Sequence, residues 1–519
     1  MTNPPAHPTE SAGTVPACLV GPRCVWIALI VWLGISVPLF VGMPLNSDTA
    51  LYDVHARSVL DGAVAYRDIF EPNFPGVLWI HMGIRSAFGW SSEAMRAVDL
   101  VVLGSILWLW AGAFERRKQV MPVFLLAVTL FYLTRNEWCH AQRDTWMLLP
   151  AGLAMVLRCR RPCGSSSLLA LLEGFCWGCA VWIKPHVAVP AAAVMLVDLR
   201  ERSIREALPD ILVVILGGVM AAIPGIAWLS ATGAGEHFWH IMVEWNPEYL
   251  MAGRERMSLG RWVTMSRRFA PWPGLHVVAV PVATAVIFGC RKTDSVVNTR
   301  WRTLLSSCYL AWLVQSVVLQ HALDYIHVPA IILGLAVLCG HPWQLPVILR
   351  RSGVAAFIIF SLVWTPFFAQ QRLRQWPVVL QKGSTLQVRA ALAHGNLPDW
   401  EHLGKVIGFL QERGVINGDV TCMNVHSVHI YNETHTRPST RYWSVAILQD
   451  LFPQRAADIA AAVNESQHRY VVTEANESDL IRTAHRQPWM DTLIPVFESG
   501  SYRVLRVGSG EGEVASTSR

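Results

Sequence analysis

Asp48 is the side chain in this sequence best suited to acid–base chemistry. It lies five residues after an apolar run at 24–43, at the start of a polar segment, 44–96, that is rich in acidic and aromatic residues. Partial desolvation at a membrane boundary would raise the pKa of this carboxylate and favour its use as a general base. Asp48 could instead cap a helix beginning at Thr49, since Asp there satisfies free backbone N–H groups. The two roles are compatible.

Charged residues also interrupt the apolar sequence further along the chain. Arg143 and Asp144 precede an apolar run, where a cation beside a carboxylate could hold a phosphate and keep the carboxylate ionised. Their alternative roles are an interfacial anchor and a helix N-cap. Lys184 and His186 flank a proline between two apolar runs. Lys184 could contact a phosphate or simply extend to the membrane surface.

Two later segments carry further candidates. Tyr325 and His327, in a short turn between apolar runs, could donate hydrogen bonds to a phosphate leaving group, or could belong to an aromatic belt and helix start. The segment 231–273 alternates aromatic and basic residues and ends with Arg267 and Arg268, a pattern typical of an amphipathic helix in the membrane interface. The spacing of Glu236, His237 and His240 would also permit a metal ion.

The elements that position these residues are predicted to be membrane helices. The 519 residues are 53% hydrophobic and only 15% charged, and the mean hydropathy is +0.34. This composition indicates an integral membrane protein. The net charge of +6 comes from dispersed basic residues, so it does not indicate nucleic-acid binding. The eleven cysteines lie mostly in or beside apolar runs and imply no disulfide framework.

Hydropathy predicts about eleven transmembrane helices after a disordered leader, 1–22. Alternate short loops are basic, which places the N-terminus in the cytoplasm. The segments 44–96 and 231–273 and the C-terminal tail then lie on the outer face, and we expect the membrane to be a bacterial inner or plasma membrane. The predicted spans are 24–43, 97–114, 119–134, 144–158, 167–183, 185–199, 209–230, 274–290, 302–320, 325–341 and 346–368.

Hydropathy falls after about residue 369. Patterns of helix and strand there predict a small C-terminal α/β domain, 370–519, on the outer face, following a transmembrane domain at 23–369. The predicted elements are helices at 401–413, 454–463 and 479–485, strands at 420–425 and 470–473, and a hairpin at 493–507.

The first external loop resembles that of a known family. Its motifs are S-D-T-A-x-Y from Ser47, A-R-x-V-L-D-G at 56–62, Y-R-D at 66–68 and N-F-P-G-V-L-W-I at 73–80. Together they resemble the GT-C glycosyltransferases, in the branch of the protein O-mannosyltransferases and the lipid A aminoarabinose transferase. The mannosyltransferases have paired acidic residues where this chain has Ser47 and Asp48, so the resemblance is to the broader branch.

The resemblance implies an inverting transferase of hexose or pentose units from a polyprenyl-phosphate sugar. Asp48 would be the catalytic base. Residues implied to bind substrate are Tyr66, Arg67, Asp68, Arg143, Asp144, Lys184, His186, Arg267, Arg268, Tyr325 and His327. A lipid, glycan or protein would be the acceptor, with no cofactor required and a divalent metal without support. The alternative is a non-enzymatic flippase or transporter of lipid-linked sugars, although the repeats common in transporters are absent from the sequence.

Overall fold

The computed structural model describes residues 22–112, 117–161, 167–201, 203–255, 258–289, 296–320, 323–341, 365–393, 398–474 and 492–508, together with 114, 359, 363 and 490. The predicted leader, the predicted last span at 346–368 and the predicted helix at 479–485 fall wholly or largely outside these residues.

The chain up to Gly340 is mostly helical. Its largest core cluster joins apolar side chains of the helices on either side of the external segments, including Trp110, Trp272 and Trp312. A π-helical turn, Ile241–Trp245, separates two of the helices. The helices are α1 Pro22–Gly42, α2 Ser47–Leu60, α3 Gly76–Phe88, α4 Ser92–Gly112, α5 Arg117–Leu133, α6 Arg143–Trp146, α7 Leu148–Arg160, α8 Ser167–Ile183, α9 Ala188–Glu201, α10 Ile204–Ala231, α11 Gly235–His240, α12 Asn246–Glu255, α13 Leu259–Phe269, α14 Gly274–Phe288, α15 Val296–Val318 and α16 Val328–Gly340.

Apolar helices of membrane length identify an integral membrane protein, but the count of eleven spans is not confirmed. Within the described ranges, three helices are long and apolar enough to cross a bilayer: 23–42, 92–112 and 204–231. A fourth span is present if α13 and α14, which meet at 97°, count as one. Other predicted spans are apolar helices of 10–17 residues, because breaks such as the one at Lys184 and Pro185 divide the apolar sequence.

The segment 44–96 folds into two short helices on the end of the bundle. α2 ends at Leu60 with Asp61 as its C-cap, and Gly62 follows with φ +97°, a conformation that favours glycine. Pro75 precedes α3, which begins at Gly76. A Cβ at Gly76 would collide with the backbone of Trp182 in α8, so glycine there permits the close approach of α3 to the bundle.

A buried ion-pair cluster joins α7, α8 and α10 at the end of these helices remote from α6. Glu173 in α8 accepts hydrogen bonds from Arg158 at 2.6 Å and Arg161 at 3.0 Å, and Arg161 also pairs with Asp210 of α10. In the same region a Cβ at Gly174 would collide with the Val214 carbonyl. Charge pairing and close backbone contact therefore fasten the three helices together.

The C-terminal part contains the predicted small sheet. Its strands are β1 Val420–Cys422, β2 Tyr470–Glu474, β3 Leu493–Ser499 and β4 Tyr502–Val507, in the order β1-β2-β4-β3. β1 and β2 are parallel, whereas β4 pairs antiparallel with β2 and β3. Its helices are α17 Gln370–Leu373, α18 Trp376–Lys382, α19 Leu386–Leu392, α20 Trp400–Glu412, α21 His429–Thr434, α22 Val445–Leu451 and α23 Ala456–Glu465.

The sheet and the external helices share one hydrophobic core. This second cluster joins Leu51 and Val54 of α2 and Trp245 of the π-helical turn to Tyr431 and Val472 of the C-terminal part. The C-terminal part therefore packs directly over α2, the helix that carries Asp48.

Candidate active site

Asn46, rather than Asp48, caps α2. The Asn46 side chain accepts a hydrogen bond from Thr49 N at 2.8 Å, and its amide donates to His140 O at 2.8 Å and Glu137 O at 3.2 Å. The alternative in which Asp48 caps a helix starting at Thr49 is therefore wrong. Asp48 lies in the first turn of α2 with its carboxylate free for other contacts.

The Asp48 carboxylate faces polar side chains from two other elements. Gln142 Nε2 donates to Asp48 Oδ2 at 3.4 Å. Burial raises the pKa of Asp48 above its usual range, while the charge of Arg143 and the hydrogen bonds from Gln142 and Tyr325 partly offset this effect. A carboxylate in this environment is a stronger base than an exposed one, and it remains paired with a nearby cation.

Arg143 connects the start of α6 to α2. Its Nη1 donates to the Tyr52 hydroxyl at 3.1 Å, and Tyr52 lies one turn after Asp48. Burial raises the pKa of Tyr52 well above 10, so the phenol stays protonated. The Asn73 amide also donates to the Tyr52 hydroxyl, at 3.4 Å. Glu71 accepts from Asn73 N at 2.9 Å and places a second carboxylate close enough to raise the pKa of Asp48.

Lys184 is the second buried cation of this cluster. Its Nζ donates to Asp144 Oδ1 at 2.7 Å and also to Gln320 Oε1. Burial lowers the pKa of Lys184 to about 8, against the opposing charge of Asp144. Lys184 lies at the junction between α8 and the turn that follows it, so the break in the apolar sequence places an ammonium group beside Arg143 and Asp144.

Several predicted site residues lie at the edge of this group. Tyr325 contacts the Asp48 carboxylate, and His186 is close enough to Lys184 and Asp144 to feel both charges. The His327 ring packs edge-on against Trp262 of α13 at 5.6 Å. Arg267 and Arg268 are exposed on α13, where Arg268 lies 4.0 Å from Asp324. The two arginines therefore lie on the amphipathic helix and outside the Asp48 cluster.

Tyr66, Arg67 and Asp68 form a turn apart from the cluster. The Tyr66 hydroxyl donates to Asn73 O at 2.9 Å, and its backbone has φ 67°. Arg67 binds Asp68 through two hydrogen bonds of 2.7 and 2.9 Å, and Asp68 also accepts from Val64 N. These contacts close the loop, so the structure does not bring the three side chains to Asp48.

The C-terminal part and α12 cover the cluster with residues that sequence analysis did not select. His426 Nδ1 lies 3.3 Å from Ser47 Oγ, and its ring packs against Trp138 at 5.6 Å. Tyr249 of α12 interacts with the charges of Arg143 and Asp48, and stacks on Phe452 at 6.0 Å. Burial raises the pKa of Tyr249 to about 12. Aromatic residues in the loop were the only sequence signal for Tyr249, and His426 had none.

The cluster has the components of a group transfer. One partly exposed carboxylate is positioned to accept a proton, and two buried cations, Arg143 and Lys184, can stabilise a departing anion. Among the residues the structure describes, no three His, Cys, Asp or Glu side chains are grouped closely enough to hold a metal ion. In the segment considered for a metal, His240 pairs with Glu244 at 3.0 Å.

A solved structure shares the fold formed by the helix bundle, the external helices on its end and the covering C-terminal part. The crystal structure of ArnT from Cupriavidus metallidurans bound to undecaprenyl phosphate matches with a TM-score of 0.53 and 12% sequence identity, over 94% of this chain and 99% of that chain. ArnT is an aminoarabinose transferase. This likeness confirms, at the level of the fold, the resemblance found in the first external loop.

A second solved structure is also similar. It is the archaeal oligosaccharyltransferase AglB from Archaeoglobus fulgidus in complex with an inhibitory peptide and a dolichol-phosphate, with a TM-score of 0.47, 10% identity, and coverage of 95% of this chain and 75% of that chain. No protein-family profile and no curated protein matches the sequence.

Proposed function

We propose that this protein is a membrane glycosyltransferase that moves a sugar from a polyprenyl phosphate to an acceptor on the outer face of the membrane. The observation that carries the proposal is the pairing, on a GT-C fold, of an uncapped carboxylate at Asp48 with the buried cations Arg143 and Lys184. ArnT was crystallised with a polyprenyl phosphate, which supports a donor of this kind.

In the proposed mechanism Asp48 removes a proton from the acceptor hydroxyl or amine as that group attacks the anomeric carbon. The bond from the anomeric carbon to the phosphate oxygen breaks, the configuration inverts, and the polyprenyl phosphate leaves with the bonding electron pair. Arg143 and Lys184 stabilise the negative charge on the phosphate. Arg267 and Arg268, exposed on α13, attract the anionic head group at the membrane interface and do not contact the reacting atoms.

Sugar transfer by the purified protein tests this function. Labelled polyprenyl-phosphate sugars are incubated with lipid, glycan and peptide acceptors, and wild type is compared with Asp48→Asn. Loss of a general base predicts a decrease in kcat of roughly 10²–10⁴-fold. The matched control is Asp458→Asn, because this exposed carboxylate lies on α23, where it pairs with Arg455 at 3.7 Å and does not belong to the Asp48 cluster.

Two results would contradict the proposal. One is full transfer by Asp48→Asn at an unchanged thermal stability. The other is movement of the lipid-linked sugar across a vesicle membrane without transfer to any acceptor, which is the behaviour of a carrier.

A further inference from the structure

A cavity lies beside the candidate active site and is separate from it. It has a volume of about 520 Å³ and is bounded by the second half of α2, the turn after it and the segment 437–443. We call it the α2 pocket. Asp48, Tyr52 and His55 are spaced by four and three residues, so one face of α2 carries all three. His55 lines the pocket, roughly 10 Å along the helix from Asp48.

The α2 pocket contains hydrogen-bond donors that find no acceptor among the described residues. They are Arg441 Nε, Arg437 Nε and Trp443 Nε1. The His55 and Trp443 residues are only 1% and 7% exposed, and His55 Nδ1 lies 3.4 Å from Glu71. A buried donor without a partner destabilises a protein by about 1–3 kcal/mol, so several beside one cavity indicate a ligand that accepts hydrogen bonds.

The charges around the α2 pocket favour an anion. Arg67 is neutralised by Asp68 at 2.7 Å, and Arg437 lies 3.2 Å from Asp61. Arg441 has no ion pair in the described part of the chain, and its guanidinium lies over the rings of Phe70 at 5.5 Å and Tyr442 at 5.4 Å.

The remaining carboxylate of the lining does not change this balance. Glu465 is exposed at the end of α23, where water screens its charge. The lining of the α2 pocket therefore has three arginines against two carboxylates, and Arg441, on which the charge of Asp68 acts, makes no ion pair among the described residues.

Another cavity, on the opposite face of α2, differs from the α2 pocket in the pairing of its charged groups. It has a volume of about 310 Å³, and the charged groups that line it have polar or charged partners among the described residues. Arg57 donates to His435 at 2.8 Å, and Arg389 binds Glu433 at 2.6 Å. The Arg57 contact joins α2 to the C-terminal part, whereas Arg389 and Glu433 both belong to that part. Trp400, His429 and Asn432 of this cavity also carry buried polar atoms without a described partner, so the α2 pocket differs in having an arginine without an ion pair, Arg441.

We propose that the α2 pocket binds an anionic substituent of the acceptor, a phosphate or a carboxylate on a glycan, while the group to be glycosylated reaches Asp48. Arg441 contacts the anion directly, and Trp443 donates a further hydrogen bond. The assignment to the acceptor depends on the proposed function. Anion binding by the pocket can be measured without transfer.

Isothermal titration calorimetry of the full-length protein in detergent tests the binding. The probes are a hexose 6-phosphate, a hexuronate and the neutral hexose. At least one charged probe binds wild type more tightly than the neutral hexose, and the stronger of the two identifies the anion. Arg441→Gln weakens charged-probe binding roughly tenfold or more, the effect of one charge-assisted hydrogen bond, and does not change binding of the neutral hexose.

Arg413→Gln is the matched control for Arg441→Gln. Arg413 also stacks on an aromatic ring of the C-terminal part, Phe409 at 5.0 Å, but it does not line the α2 pocket. The affinity of Arg413→Gln for charged probes stays at the wild-type value. Should Arg441→Gln unfold, Trp443→Phe removes one donor and retains most of the packing, and charged-probe affinity falls several-fold. The proposal is overturned if wild type binds charged and neutral probes with equal affinity. It is also overturned if Arg441→Gln and Trp443→Phe both retain the wild-type affinity for charged probes.

A kinetic measurement separates this proposal from the transferase function. With a charged acceptor, Arg441→Gln raises the acceptor KM and leaves kcat and the donor KM unchanged, whereas Asp48→Asn lowers kcat and retains charged-probe binding. If no transfer occurs but Arg441-dependent binding does, the proposed function fails and the anion site stands. If transfer occurs and Arg441→Gln leaves the acceptor KM unchanged, the acceptor assignment fails alone.

Discussion

Replacing Lys184 with Arg is expected to extend sugar transfer to alkaline pH. Burial lowers the pKa of Lys184 to about 8, so its ammonium loses the proton as pH rises through that value. Because kcat/KM reports the free enzyme, it should fall about tenfold for each pH unit above 8, to about a tenth of its plateau at pH 9. The acid limb should lie above the usual carboxyl range, since burial raises the pKa of Asp48 and the base must be ionised.

Arginine remains protonated to beyond about pH 12, so the alkaline limb should disappear in Lys184→Arg. The plateau value of kcat/KM should be lower in Lys184→Arg than in wild type. The wider guanidinium must fit beside Asp144 and Gln320, which both contact the lysine. Initial rates of transfer from a labelled polyprenyl-phosphate sugar, measured between about pH 5 and pH 10 at constant ionic strength, give both limbs. Lys382→Arg, at an exposed lysine of α18, should retain the wild-type profile. An alkaline limb unchanged in Lys184→Arg would refute the role of this ammonium.

Two further predictions concern stability, measured by thermal and denaturant unfolding in detergent. Asp53→Asn should lower the free energy of unfolding by about 3–5 kcal/mol, because it leaves the buried Arg85 guanidinium of α3 without its charged partner. An unchanged melting temperature would show that this pair does not hold α2 to α3. Gly174→Ala should destabilise by roughly 1–3 kcal/mol, because its Cβ would collide with the Val214 carbonyl, whereas Gly104→Ala, which meets open space, should be near neutral or slightly stabilising. Equal shifts for the two alanine variants would contradict the close contact of α8 and α10.

Local sequence rules do not predict which residue caps α2. Asn46, Ser47 and Asp48 are all good N-cap residues, so propensity alone does not choose among them. The choice depends on His140 and Glu137, whose carbonyls accept hydrogen bonds from the Asn46 amide across more than 90 residues of sequence. Sequence analysis therefore selected the carboxylate, but the alternative role that it offered for Asp48, as the helix cap, belongs to Asn46.

The bundle and the cluster differ in how far sequence could predict them. Apolar runs and the first-loop motifs indicated the fold, which the likeness to ArnT confirms. The first-loop motifs also selected Asp48, and the charged residues between apolar runs selected Arg143 and Lys184. The structure brings these three side chains together. Whether those residues act as proposed stays a prediction.

Other contacts depend on distant parts of the chain meeting. Tyr249 reaches the cluster because α12 folds back under Phe452, and His426 reaches Ser47 because the C-terminal part packs on α2. No periodicity or local motif encodes such contacts. For the turn at Tyr66 the local motif was misleading. Its Y-R-D sequence implied substrate binding, but Tyr66, Arg67 and Asp68 make hydrogen bonds that close the loop.

The position of His426 over Ser47 bears on how the protein matures. The wall of the cluster that contains His426 and Phe452 is made of residues synthesised hundreds of positions after Asp48. A nascent chain therefore carries its carboxylate and cations long before the chamber around them is closed. For the proposed transferase, competence arrives only when the C-terminal part has packed on α2, so a prematurely terminated product would be inert.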